Sequence, residues 1–142
     1  MPPSPGVAPP PGDRARYQCR RALHHAGRRQ AVPQATRLIE SLSADAPGFV
    51  PLVSVVELAW VLSSAYELDR EQLFEAFEGL LRTKELIVER AEIVWKALRV
   101  FQRANADFAD CLIACSAAAA GCARTMTFDR FAAKSGGMTL LT

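Results

Sequence analysis

The chain has 142 residues, of which 50% are hydrophobic and 23% are charged. This is enough for one domain with a buried core and too little for two full ones. No apolar run approaches the roughly 18 residues of a membrane-spanning helix, and the first thirty residues lack the apolar centre of a signal peptide. Four cysteines are too few for a disulfide scaffold and indicate a reducing compartment. We therefore expect a cytoplasmic globular domain that does not enter a membrane.

Charge and proline are concentrated at one end of the chain. Residues 1–33 hold six arginines against one aspartate, and seven of the nine prolines, although the net charge of the whole chain is only +2. The remainder is therefore slightly acidic. Proline runs favour extended, solvated backbone. We expect a disordered, Pro/Arg-rich head over 1–33 and a folded domain over 34–142.

Helices and short strands alternate in the first part of the folded domain. Ser54 with Glu57, and Asp69 with Gln72, have the spacing of a capping box, which predicts that a helix begins at each pair. The apolar spacing between these signals predicts the remaining elements. They are a helix over 34–43, a strand over 49–53, and helices over 55–66 and 70–81.

The same alternation continues to the end of the chain. Gly121 follows an alanine-rich helical segment and is a plausible glycine just beyond a helix end. Short strands between helices indicate an α/β fold with a mostly parallel sheet. Such folds usually begin with a central apolar strand, and residues 1–33 contain no candidate for it. The predicted elements are strands over 86–88, 123–128 and 138–141, helices over 90–104 and 107–120, and a helical turn over 130–134.

Acidic residues at the ends of elements are the catalytic candidates, because the chain has no histidine cluster and no glycine-rich phosphate loop. These are Glu57, Asp107, Asp110 and Asp129. Strand ends and the helix starts that follow them meet at one edge of an open sheet. Carboxylates gathered there would suit a hard divalent cation, Mg²⁺ or Mn²⁺. Each acid also has a simpler explanation as a helix-capping or first-turn residue.

Three motifs resemble the PIN-domain ribonucleases, and most closely the VapC toxins of bacterial toxin–antitoxin pairs. The motifs are SVVELAWVL at 54–62, DFADCLIA at 107–114 and TFD at 127–129. They extend the likeness over 34–141 in the family's order and spacing. The middle motif is the most specific of the three.

The resemblance implies a fold, a reaction and a set of partners. The fold would be a three-layer α/β/α arrangement with a short, mostly parallel sheet. The activity would be Mg²⁺-dependent cleavage of RNA, with Mn²⁺ as an alternative cation, by a toxin that binds a VapB-like antitoxin and forms a homodimer. Glu57, Asp110 and Asp129 would be the catalytic and metal-binding acids. Asp107 would support them, and Thr127 would contribute a nearby hydroxyl.

One expected motif of the family is absent. Its members begin with a strand that ends in an Asp-Thr-Asn-type motif, whose aspartate binds metal, and this chain has no such motif. Possible codons for Arg16–His24, read one base later, encode Asp-Thr-Asn-Val-Val-Val-Arg-Tyr. We therefore hypothesise that most of residues 1–29 are an out-of-frame translation. The genomic sequence tests this hypothesis directly.

Three interpretations of function follow from these observations. The chain is an active ribonuclease, or it is an inactive PIN-like remnant that only binds an antitoxin or dimerises, or its arginine-rich head engages nucleic-acid phosphates. A zinc site is disfavoured, because Cys111, Cys115 and Cys122 form no CxxC pair. Buried, small apolar side chains are the better interpretation of these cysteines.

Overall fold

The computed structural model describes residue 34 and residues 36–142. The interpretation of residues 1–33 as a disordered or out-of-frame head lies outside the described residues. The chain divides into two compact units, 1–41 and 42–142. In the first unit, residues 36–41 are helical, within the helix predicted over 34–43.

The second unit alternates short strands with helices, as its sequence predicts. The elements are β1 (Gly48–Val50), α1 (Leu52–Ser64), α2 (Arg70–Arg82), β2 (Leu86–Val88), α3 (Ala91–Arg103), α4 (Phe108–Ala119), β3 (Met126–Thr127), α5 (Arg130–Ser135) and β4 (Thr139–Leu140).

The four strands of the described residues all take part in parallel pairing. β1 pairs with β2, so that Phe49 lies opposite Ile87, and β3 pairs with β4. The prediction of a mixed α/β fold with short parallel strands is confirmed. Within the described part of the chain, the strands form two separate pairs rather than one continuous sheet.

The core lies between α4 and its neighbours α2 and α3. Phe77 of α2 is fully buried and stacks on Phe108, the first residue of α4, with 4.5 Å between ring centroids. The ring of Phe101 meets Phe108 edge-on at 5.8 Å. Aromatic pairs at these separations add to the free energy of apolar burial. The beginning of α4 is therefore anchored to both α2 and α3.

The predicted start of α1 is wrong. The helix begins at Leu52 rather than at residue 55, with Pro51 at the N-cap position and no capping bond from a side chain of its own. Glu89, which follows β2, fills this role: its carboxylate Oε2 accepts a hydrogen bond of 2.6 Å from the Leu52 N–H. Proline is well suited to a helix start. Because Glu89 lies 37 residues away, the local pattern at Ser54 could not reveal it.

Two other predicted helix boundaries are confirmed. Asp69 and Gln72 form a reciprocal capping box at the start of α2. After α4, Gly121 has φ +82°, and the N–H groups of Gly121 and Cys122 donate to the carbonyls of Ala118 and Ala117. This is the Schellman arrangement that favours glycine.

Candidate active site

Glu57 lies in the second turn of α1, because the helix begins three residues earlier than predicted. Its side chain is exposed, and no hydrogen bond or ion pair engages it within the described residues. The capping-box explanation of Glu57 therefore fails. A carboxylate without a partner on a helix surface is free to interact with a ligand.

Asp107 occupies the N-cap position of α4, but its side chain makes no capping hydrogen bond. The residues on either side of it, Ala106 and Phe108, are 0% and 2% exposed. Their burial fixes the backbone of Asp107, while its own side chain is exposed. The capping explanation accounts for the position of Asp107 and not for its carboxylate.

Asp110 lies in the first turn of α4 and is partly buried. Burial raises the pKa of its carboxyl above the usual 3.8, and the negative charges of Asp107 and Asp129 raise it further. The loop after α5 also lies against it, since a Cβ added at Gly136 would come within 3.5 Å of the Asp110 Cβ. The starts of α4 and α5 thus bring three aspartates together.

Asp129 caps α5. Its Oδ1 accepts hydrogen bonds from the N–H groups of Phe131 at 2.7 Å and Ala132 at 3.3 Å. Its own N–H donates to Thr127 Oγ1 at 3.0 Å. Thr127 therefore orients the loop that carries Asp129. Within the described residues, Asp129 Oδ2 accepts no hydrogen bond and is available to a ligand.

A cleft of about 550 Å³ connects part of this group with α1. Glu57 and Asp107 both line it, whereas Asp110 and Asp129 do not. Asp107 therefore belongs to the cleft and to the aspartate cluster. As the side chains stand, no three His, Cys, Asp or Glu residues in the described part of the chain are arranged to hold a metal ion. The cleft is lined by Val53, Val56, Glu57, Ala59, Trp60, Ser63, Leu68, Asp69, Arg70, Leu73, Phe101, Asp107, Phe108 and Ala109.

Arg70 is the one cation among the described residues that line the cleft, and nothing in the sequence marked it as a candidate. Its Nη1 donates a hydrogen bond to the Ala106 carbonyl at 2.8 Å. Its Nη2 donates to the carbonyls of Phe101 and Ala104, both at 2.6 Å. These partners lie 31–36 residues away in the chain, so no local pattern marks Arg70 as special.

Residues 22–135 match the PIN domain family. The chain belongs to this family. The match includes all three motifs that suggested the resemblance, and it begins within the arginine-rich head, at residue 22. Membership in the PIN domain family agrees with the parallel α/β architecture described above.

A curated relative resembles most of this PIN domain protein. The chain is 27% identical, over 115 residues, to a VapC ribonuclease of Aquifex aeolicus (strain VF5). The likeness covers 80% of this chain and 85% of the relative. No solved structure matches the chain significantly. Among the described residues, no helix is both long enough and apolar enough to span a membrane.

Proposed function

We propose that this chain is the toxin of a toxin–antitoxin pair, a metal-dependent endoribonuclease that acts on RNA in the cytoplasm. Membership in the PIN domain family and the similarity to a VapC ribonuclease support this proposal. One observation carries it: Asp107, Asp110 and Asp129 gather at the starts of α4 and α5, where the pKa of Asp110 is raised. Folding holds these negative charges close together, and a bound cation would relieve their repulsion.

The chemistry of the candidate ligands suits a hard divalent cation. All candidate ligands are carboxylate oxygens, which Mg²⁺ and Mn²⁺ favour. A cation would also offset the repulsion that raises the pKa of Asp110. Glu57, Asp110 and Asp129 would hold it, with Asp107 beside them. When bound, such an ion polarises water and stabilises negative charge on a phosphate.

The chain's own residues contribute orientation and proton transfer. The capping bonds to α5 use Asp129 Oδ1, so that the other oxygen, Oδ2, is presented in a fixed direction. The buried neighbours of Asp107 hold its backbone in place. Asp107, which is exposed at the cleft and is not among the three proposed ligands, is a carboxylate available to accept a proton from the attacking water.

The cleft also supports an antitoxin partner. It exposes large apolar side chains, with Val53 72% and Trp60 69% accessible, and its polar lining includes Glu57, Asp69 and Asp107. A partner segment that combines apolar side chains with a basic residue is complementary to this lining. We propose that a VapB-like antitoxin supplies such a segment. Homodimer formation stays a prediction.

RNA cleavage by the purified chain tests the proposed activity. We expect cleavage with Mg²⁺ or Mn²⁺, none with EDTA, and a loss of about 100-fold or more in Asp110→Asn, because the change removes a charged ligand. Asp45→Asn is a matched control, since Asp45 lies in the exposed loop before β1. Cleavage that persists in EDTA and in Asp110→Asn would contradict the proposal.

The inactive remnant is the second candidate, and the absent Asp-Thr-Asn motif favours it. It predicts antitoxin binding without cleavage. A version with Asp-Thr-Asn-Val-Val-Val-Arg-Tyr in place of Arg16–Leu23 separates the two candidates. If only this version cleaves RNA, the present chain is a remnant. If both cleave, the remaining acids suffice for activity.

A further inference from the structure

We propose that Arg70 is a positioning residue of the candidate site, which holds the loop 104–107 so that Asp107 and Asp110 keep their place at the start of α4. This inference rests on the proposed function for its catalytic consequence. Its structural part concerns the loop itself and can be measured without RNA or metal.

Both the backbone and the guanidinium of Arg70 are fixed by hydrogen bonds. It is the first residue of α2, directly after Asp69, whose capping box fixes the backbone at this point. Its guanidinium donates to three carbonyls, one in the last turn of α3 and two in the loop that follows. Carbonyls at a helix end lack partners within the helix, and a cation there is favoured by the helix dipole. Arg70 therefore caps the C-terminal end of α3 and fixes the conformation of the loop 104–107.

The anchoring of this loop continues through aromatic contacts. The Arg70 guanidinium lies 4.0 Å above the centre of the Phe101 ring, and Phe101 meets Phe108 edge-on. Phe108 in turn stacks on Phe77 of α2. Helix α2 therefore contacts the residues on both sides of Asp107: Arg70 donates to the Ala106 carbonyl, and Phe77 stacks on Phe108. Loss of either contact would make the loop 104–107 and the start of α4, which carry Asp107 and Asp110, less ordered.

Geometry favours positioning over direct binding of an RNA phosphate. Three of the five guanidinium N–H groups, including both on Nη2, already donate to carbonyls, so that a bidentate phosphate contact through Nη2 would have to displace at least one of these bonds. Arginine also suits this task better than lysine, because its planar fork can reach several acceptors at once while lysine presents a single nitrogen. Arg70→Lys therefore keeps the charge near the cleft but loses the arrangement of the loop.

Hydrogen exchange of the full-length chain tests the structural part. Arg70→Lys and Arg70→Met are expected to speed exchange about tenfold or more at the amides of Ala104, which donates to Val100, and Cys111, which donates to Asp107, as loss of local protection implies, with little change elsewhere. Arg82→Lys and Arg82→Met are matched controls on the same helix, where Arg82 is exposed and pairs with Glu78 at 3.0 Å. Unchanged exchange at Ala104 and Cys111, or an equal effect in the Arg82 variants, would overturn the proposal.

Mn²⁺ affinity and kinetics test the catalytic part. Calorimetric titration with Mn²⁺ should show about 10–100-fold weaker binding in Arg70→Lys, the usual effect of losing an outer-shell partner, and wild-type affinity in Arg82→Lys. RNA cleavage should lose kcat with little change in KM. Wild-type Mn²⁺ affinity and kcat in Arg70→Lys would refute the catalytic consequence while the proposed ribonuclease stood. If the wild-type chain neither binds Mn²⁺ nor cleaves RNA, the proposed function fails, and the exchange contrast alone decides the role of Arg70 in the loop.

Discussion

The environment of Asp110 makes its negative charge unfavourable in the folded protein. Partial burial removes water from the carboxylate, and Asp107 and Asp129 repel it. The pKa of Asp110 is therefore above its usual 3.8 when the chain is folded. Between that value and the raised one, the folded protein binds more protons than the unfolded chain. Stability contributed by this group consequently falls as the pH rises through that window.

Asp110→Asn should for this reason stabilise the protein at pH 7. The amide has the same size and no charge, so it escapes both desolvation and repulsion. We expect a higher Tm than wild type at pH 7, and an advantage that disappears below about pH 3.8, where the wild-type carboxyl is protonated in both states. Thermal unfolding across pH, with Asp45→Asn as the control, measures this. A lower Tm for Asp110→Asn at pH 7 would contradict the assigned environment.

Sequence could nominate the acids of the candidate site but not Arg70, which we propose positions them. Asp107, Asp110 and Asp129 stand at element ends, and Glu57 has the spacing of an apparent capping box, so that local sequence makes all four visible. The structure then separates the two explanations of each acid: Asp129 does cap a helix, whereas the Glu57 carboxylate caps nothing. Arg70 acts on carbonyls more than thirty residues away, and tertiary packing alone brings it there.

At the scale of elements, the start of α1 depends on a side chain from another part of the chain. Glu89 follows β2, which pairs with β1, and this pairing brings its carboxylate to the Leu52 N–H. A strand pair thus caps the helix that carries Glu57. Local sequence favoured Ser54 because its spacing to Glu57 imitates a capping box.

Glu89→Ala and Ser54→Ala distinguish these two helix starts. Loss of the Glu89 carboxylate should lower the free energy of unfolding by about 1 kcal/mol, the usual cost of losing an N-terminal cap. Ser54→Ala should have a much smaller effect, since Ser54 lies within the helix. Urea unfolding of both variants checks this. A larger loss of unfolding free energy in Ser54→Ala than in Glu89→Ala would instead support a helix start with a capping box at Ser54.

Helix boundaries set by local capping were more predictable than the two-residue strands, for a physical reason, although β2 lies over 86–88 as predicted. Asp69 and Gly121 act on backbone within a few residues, so their effect is written in local sequence. β3 and β4 have only two residues each, too few to show a period. β3 is predicted over 123–128 but occupies Met126–Thr127, between the turn after Gly121 and the cap at Asp129.

At the scale of the whole molecule, as far as the structure describes it, the parallel pairing of β1 with β2 leaves apolar side chains exposed. Phe49 and Ile87 lie opposite each other in the β1–β2 register, and they are 63% and 53% exposed. Their neighbour Val88, which points to the other face, is buried. Parallel strands are usually covered on both faces. The alternation of strands and helices predicted the fold class, but the choice of which strands pair depends on contacts between distant segments.

A buried cysteine in α4 allows the packing of this helix to be probed by alkylation. Cys111 directly follows Asp110 and is buried, and burial, followed by the effect of Cys115, raises the pKa of its thiol to about 11. Because the thiolate is the reactive form, alkylating reagents at neutral pH should modify exposed Cys122 long before Cys111. Peptide mass spectrometry then compares the rates of alkylation at Cys111 and Cys122, and a slow rate at Cys111 shows that α4 rarely separates from the core. Because Cys111 directly follows Asp110, its rate of alkylation reports how stably the start of α4 is packed, and this can be measured without any RNA.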